Sequence, residues 1–147
     1  MPLIKNIVLP TDFSEPTLAA TRYAVALAKR FDATLHLLHV IEDPLMLAPI
    51  FESIPLPPQQ SFETYAQDRL ENWIPAADRD DLKLELHWFH GHPLTRIIEF
   101  AADHRMDLIV MGTHGRGLVS HALLGSVAEK VVRHASCPVM TVRGETD

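Results

Sequence analysis

Three glycines and a serine stand at a spacing that suits phosphate. Gly112-Thr113-His114-Gly115 follows the apolar run Asp107-Leu108-Ile109-Val110-Met111, and Gly125-Ser126 closes the segment. Two residues separate Gly112 from Gly115, and nine separate Gly115 from Gly125. Glycine lets backbone approach a ligand closely and reach φ > 0, where a Cβ would obstruct. Backbone N–H groups between a strand and a helix, with a hydroxyl beside them, fit phosphate oxygens. That chemistry points to a nucleotide. A flexible turn has the same composition, and both readings stand at this point. No Gly-Lys-Ser/Thr occurs, which excludes a Walker A loop. Gly115-Arg116-Gly117-Leu118-Val119-Ser120 begins like a dinucleotide fingerprint but ends in serine, and it follows the fourth strand instead of the first. Arg116 is either a neutraliser of phosphate or a solvated loop charge. His114 is either a phosphate donor or a loop histidine in solvent. Ser126 can cap a helix and donate to phosphate at once, having one donor and two acceptor lone pairs. Asp12 would be repelled by phosphate unless it met a hydroxyl, a base amino group or a bridging cation. Its other reading is a turn-stabilising Asp before a helix.

These residues need a frame. Ile4 to Pro10 reads as a buried strand. Ser14 is placed to cap the next helix, with Pro16 in its first turn, and Ala20, Tyr23, Ala24, Leu27 and Phe31 share one helical face. Thr34 to Val40 is the second strand. Ser61 opens the second helix, with Phe62, Tyr65, Ala66, Leu70 and Trp73 on its inner stripe. Leu82 to Phe89 alternates like a strand with one wet face, near an edge. Pro93 starts the third helix, with Leu94, Ile97, Ile98 and Ala101 inward. Asp107 to Met111 is a central strand. Ser126-Val127-Ala128-Glu129 matches a capping box and opens the last helix, with Val127, Val131 and Ala135 inward. Pro138 to Val142 is the fifth strand.

Strands alternating with helices imply an α/β fold, an open parallel sheet covered on both faces. Ligands then sit beyond the strand C-termini, where strand order reverses. If the order is 3-2-1-4-5, Pro10-Thr11-Asp12 and the Gly112 loop line one crevice.

The 147 residues fit a single domain, 1–147, and 47% hydrophobic with 22% charged residues is ordinary for a globular protein. The net charge of −6 argues against nucleic acid or an acidic membrane as partner. Cys137 is the single cysteine, read as a small buried residue, so neither a disulfide framework nor a thiolate metal cluster is expected. Neither a secretory pattern nor a spanning apolar run is apparent, and a cytoplasmic location is expected. His87, His90 and His92 lie close in sequence, but strand alternation turns His87 away from the other two, and no metal site is expected there. No Ser-His-Asp or paired-carboxylate spacing points to a catalytic machine. Residues 44 to 58 hold five of the eleven prolines yet are rich in Leu, Ile and Met. That segment is read as a lid over the ligand, an added dimer contact, or ordinary packing on the rim.

Together these pieces resemble the universal stress protein family. The matching stretches are Ile7-Val8-Leu9-Pro10-Thr11-Asp12-Phe13-Ser14, Leu38-His39-Val40, Asp107 to Arg116, and Leu124-Gly125-Ser126-Val127-Ala128-Glu129-Lys130-Val131 running on to Cys137-Pro138-Val139. The Gly-x2-Gly-x9-Gly-Ser pattern resembles the family's ATP-binding branch. The resemblance implies a Rossmann-like five-stranded sheet in the order 3-2-1-4-5, akin to the adenine nucleotide alpha hydrolases. It implies that Pro10, Thr11 and Asp12 border the adenosine, that Val40 offers backbone hydrogen bonds to adenine, and that Met111 and Gly112 back the ribose and phosphates. It places Gly115, Arg116, Gly125, Ser126 and Val127 around the phosphates, with His114 and Gly117 in the same loop. The implied ligand is ATP, or AMP or ADP, with Mg²⁺ at the phosphates. The implied assembly is a homodimer paired through Pro138 to Val142. The expected function is a nucleotide-dependent stress-response switch or sensor, at most a slow ATPase. The alternatives are an adenylyl-transferring or ATP-hydrolysing enzyme on the same scaffold, and an interaction module with a vestigial nucleotide site.

Overall fold

A computed structural model describes residues 3–42, 58–113 and 124–144. Along the described residues run β1 (Asn6–Pro10), α1 (Pro16–Phe31), β2 (Thr34–Ile41), α2 (Gln59–Trp73), a 3₁₀ turn (Ala76–Asp78), β3 (Lys83–His90), α3 (Pro93–Asp103), β4 (Leu108–Gly112), α4 (Ser126–His134) and β5 (Val139–Val142). The five strands form one parallel sheet in the order β3-β2-β1-β4-β5. This is the expected α/β order, with β1 and β4 adjacent at the reversal. The proposed lid, residues 44 to 58, falls outside the described residues except for Pro58.

Two cores hold the sheet, one on each face. Ile7, Leu9, Leu35, Leu37 and Val110 pack against Ala20, Ala24 and Ala28 of α1 and against Leu70 and, just past α2, Ile74. Val8, Leu38, Ile109 and Met111 pack against Ile97 and Phe100 of α3 and Ala128 and Val131 of α4. Alternation assigns successive residues of each strand to opposite cores, which is why the central strands are apolar on both faces. Each fully buried Leu, Ile or Val contributes about 1.5–3 kcal/mol relative to exposure.

Several local expectations are corrected. The buried face of α1 is Thr17, Ala20, Thr21, Ala24, Val25 and Ala28, whereas Tyr23 is 57% and Phe31 47% exposed. Small residues let the helix axis approach the sheet; Thr17 and Thr21 enter the core because their hydroxyls donate to the Ser14 and Thr17 carbonyls, both at 2.7 Å. Ser14 does not cap α1. Glu15 occupies the cap position, and the Ser14 N–H is itself taken by Asp12 Oδ1 at 3.0 Å. The second helix begins at Gln59, not Ser61, and its Tyr65 is 53% exposed while Ala66 and Leu70 are buried. The capping box of α4 does not form. Gly125 is the cap residue without a side-chain bond, Ser126 is the first helical residue, and Glu129 pairs with Arg133 at 2.9 Å. Phe100, unread in the sequence, is the buried aromatic of α3. Cys137 is half-buried, and burial together with the Asp107 carboxylate raises its thiol pKa.

The parallel pairing of β2 with β3 sets His36 opposite Glu85 and Leu38 opposite His87. His36 is buried, and its Nδ1 lies 3.1 Å from His87 Nε2. Burial lowers the pKa of both rings below the ordinary 6.5; nearby Glu85 opposes the shift and His104 adds to it. A lowered folded-state value means that the unfolded chain binds more protons just below pH 6.5. Stability should therefore decline as pH falls through that range. Urea unfolding across that range checks this, and His87→Asn should flatten the slope.

Candidate functional site

The C-terminal ends of β1, β2 and β4 open into a cavity of about 850 Å³. Its floor is built from Pro10, Thr11 and Asp12, from Leu38 to Ile41, and from Met111 and Gly112; one wall is Ser61, Phe62 and Tyr65, and the opposite wall is Gly125 to Ala128. Its size falls within the range of small-molecule sites. It lies at the topological switch point, because β1 sends its chain to α1 on one face and β4 sends its chain to α4 on the other.

The turn after β1 is fixed by short polar links. The Thr11 N–H donates to the Leu38 carbonyl at 2.8 Å, tying the end of β1 to β2. Thr11 Oγ1 accepts the Phe13 N–H at 3.0 Å and meets Thr17 Oγ1 at 3.2 Å. Asp12 forms an Asx turn through its bond to the Ser14 N–H, so the turn-stabilising reading of Asp12 holds, and its carboxylate also borders the cavity. Ser14 Oγ lines the same space, buried and without a hydrogen-bond partner among the described residues. An orphaned buried hydroxyl is costly and marks a place where a ligand or water completes it.

Phe13 adopts φ 63°, a left-handed conformation that a bulky side chain rarely takes. It stacks on His39 with centroids 4.2 Å apart, meets Trp73 at 5.7 Å and Tyr65 at 6.0 Å, and carries the Arg69 guanidinium at 5.4 Å. His39 Nδ1 donates to the Thr11 carbonyl at 2.8 Å, which fixes its tautomer and holds the stack in place. An aromatic wall thus flanks the cavity beside Val40.

Across from it, the loop between β4 and α4 is closed at its base. The Gly125 N–H donates to the Thr113 carbonyl at 2.6 Å, and the Thr113 N–H to the Val142 carbonyl at 3.0 Å. The first N–H groups of α4 have no intrahelical acceptor, and the positive end of its dipole faces the cavity. The donors and the hydroxyl of Ser126 suit an anion; Val40, Met111 and Ile97 suit an apolar ring system.

Of the residues singled out in the sequence, Pro10, Thr11, Asp12, Val40, Met111, Gly112, Gly125, Ser126 and Val127 are brought together around this cavity. His114, Gly115, Arg116 and Gly117 lie outside the described residues. Phe13, Ser14, His39, Ser61, Phe62 and Tyr65 were not singled out, although Phe13, Ser14 and His39 stand within the stretches that carry the resemblance. His87, His90 and His92 do not converge: His87 turns to His36, and His90 Nε2 meets Glu63 at 2.8 Å.

Residues 3–143 match the model of the universal stress protein family. Universal stress protein MJ0531 of Methanocaldococcus jannaschii is 36% identical, an alignment covering 96% of this chain and 83% of that protein. The solved structure of universal stress protein UspA from Lactobacillus plantarum superposes with a TM-score of 0.80 at 27% identity, covering 97% of this chain and all of that one. A universal stress protein in complex with cAMP shares the fold, with a TM-score of 0.65 at 24% identity over 98% of this chain and all of that one. A family match over nearly the whole length and a shared strand order agree: this chain belongs to the universal stress protein family.

Proposed function

We propose that this protein binds an adenine nucleotide, ATP with Mg²⁺ in its signalling form, and acts as a nucleotide-dependent switch or sensor in a cytoplasmic stress response. The observation that carries the reading is the cavity at the switch point, which faces an aromatic and apolar wall on one side and the α4 N-terminus on the other. Adenine would lie against Val40, whose backbone presents N–H and C=O groups. Asp12, Ser14 and Thr11 border the sugar. Gly125, Ser126 and Val127, with His114, Gly115, Arg116 and Gly117 from the loop, would surround the phosphates. The residues fit the group: the buried Ser14 hydroxyl lacks a partner, and the α4 donors are aimed where negative charge would lie. Mg²⁺ would be held by the phosphates with the Asp12 carboxylate, since this ion binds through one or two carboxylates plus substrate oxygens. In the solved relative mentioned above, the same fold accompanies cAMP.

Calorimetric titration with ATP and Mg²⁺ tests this reading. Saturable binding, competed by ADP and AMP, is the expected result. An absence of binding at millimolar nucleotide would overturn it. Hydrolysis is expected to be slow at most, and fast multiple turnover with release of AMP and pyrophosphate would favour an adenylyl-transferring enzyme instead.

The assembly proposed with this function is a homodimer through β5. That strand is a sheet edge, and its Met140 is 36% exposed. Pairing two such edges across a two-fold axis would bury both. Light scattering should give twice the chain mass, and Thr141→Pro, which removes an N–H from the strand, should shift it to monomer.

A further inference from the structure

The sheet carries a second polar cluster, whose side chains are not among those lining the nucleotide cavity. It lies in the first half of β2 and the middle of β3, and Leu38, opposite His87, separates it from the cavity at the strand ends. Parallel register and alternation bring His36, Glu85 and His87 to one face of the sheet, against α3. One nitrogen or oxygen from each of these three lies within 4.8 Å of the others. His36 Nδ1 and His87 Nε2 are 3.1 Å apart, and His36 Nε2 and Glu85 Oε2 are 3.9 Å apart.

We propose that His36, His87 and Glu85 form a binding site for a zinc-class divalent transition metal. Tetrahedral zinc with bonds of about 2.0–2.2 Å sets its ligands about 3.3–3.6 Å apart. The histidine pair is already close to that spacing. The 3.9 Å approach of Glu85 is to His36 Nε2 and not to the ligating Nδ1, so Glu85, its side chain 58% exposed, reaches the metal by a change of rotamer.

The support around the site is that of a metal centre. His36 Nε2 lies 3.1 Å from Asn6 Oδ1, an acceptor, so the ring carries its proton there and turns the Nδ1 lone pair toward His87. A ligating histidine ordinarily donates its other N–H in this way, which fixes ring orientation. When the metal enters, the His87 proton moves from Nε2 to Nδ1 through solvent, and the metal takes the place of the proton shared between the rings. Phe100 contacts His87 at 4.8 Å and His36 at 5.9 Å between centroids, forming an apolar roof that limits ring rotation. Neutral imidazole, with one ring nitrogen unprotonated, is the form that ligates. Two imidazoles and one carboxylate leave a fourth position for water. This donor set suits zinc, cobalt or nickel, whereas magnesium and calcium prefer oxygen alone.

The test is equilibrium dialysis of the tag-free, full-length chain against micromolar zinc, followed by metal analysis. One zinc per chain is expected, with a rise in unfolding temperature that grows with zinc concentration. Cobalt in its place should give the visible bands of a tetrahedral nitrogen–oxygen site. Glu85→Gln, at an exposed position, should weaken zinc by about tenfold or more. His87→Gln should weaken it beyond the roughly 10–100-fold that loss of an outer partner costs. Absence of zinc after dialysis overturns the proposal. So does unchanged zinc affinity in both variants, because the metal would then sit on other histidines of the chain.

Discussion

Phe13→Ala should cost about 3–5 kcal/mol of unfolding free energy, the range for truncating a buried phenylalanine. In a chain of this length that corresponds to a fall of roughly 10 °C in melting temperature. The loss is expected to be large because Phe13 is the hub of the aromatic wall, touching His39, Tyr65, Trp73 and Arg69 at once. A second variant separates packing from backbone strain. Phe13 sits at φ 63°, where alanine remains strained and glycine is relaxed. Phe13→Gly should therefore be less damaging than Phe13→Ala by about 1 kcal/mol, the reverse of their usual order. Urea unfolding of the three proteins measures both differences. A cost below about 1 kcal/mol for Phe13→Ala would show that the wall does not support the fold.

Gly125→Val should lower nucleotide affinity at least about 100-fold, or roughly 2.7 kcal/mol. Gly125 caps α4 and lies on the cavity wall, where the proposed phosphates would meet backbone N–H groups without an intervening side chain. Its φ of −64° and ψ of 157° are open to any L-residue, so the fold should tolerate valine at the cost of a slightly poorer cap. Circular dichroism should show an unchanged fold while calorimetry shows lost binding. If the variant binds ATP as tightly as the parent protein, the phosphates do not lie against α4, and the nucleotide reading loses its anionic half.

The sheet was legible because its signals are local. Apolar runs such as Ile7-Val8-Leu9 and Ile109-Val110-Met111 are bounded by breakers and separated by helix-length segments, and alternating β and α elements leave few topologies. Helix faces were less legible. Tyr23 and Phe31 are apolar at helical spacing, yet α1 packs against the sheet through alanines and threonines, and periodicity does not register that a threonine can satisfy its hydroxyl within its own helix. Both expected caps failed because each serine stands one residue away from the cap position, Ser14 before Glu15 and Ser126 after Gly125. At Ser14 the Thr17 N–H bonds to the main-chain carbonyl, and the hydroxyl is left without a partner among the described residues. The floor of the cavity was readable from strand ends. The aromatic wall was not, because it joins Phe13 from a turn, His39 from β2, and Tyr65 and Trp73 from α2. The His36–Glu85–His87 cluster was hidden in the same way: alternation separated His87 from His90 and His92, but its partner comes from the neighbouring strand, and register is not written in either segment alone.

The clasp between Gly125 and Thr113 has a consequence for how this scaffold can be varied. It fixes the departure and return of residues 114–123 at adjoining points, on the end of β4 and the start of α4. Closure entropy rises only by about 0.6 kcal/mol for each doubling of loop length. Inserts placed after Gly117 should therefore lengthen the chain between the two clasped positions while the sheet beneath retains its register, whereas replacing His114 to Gly117 would remove the proposed phosphate contacts.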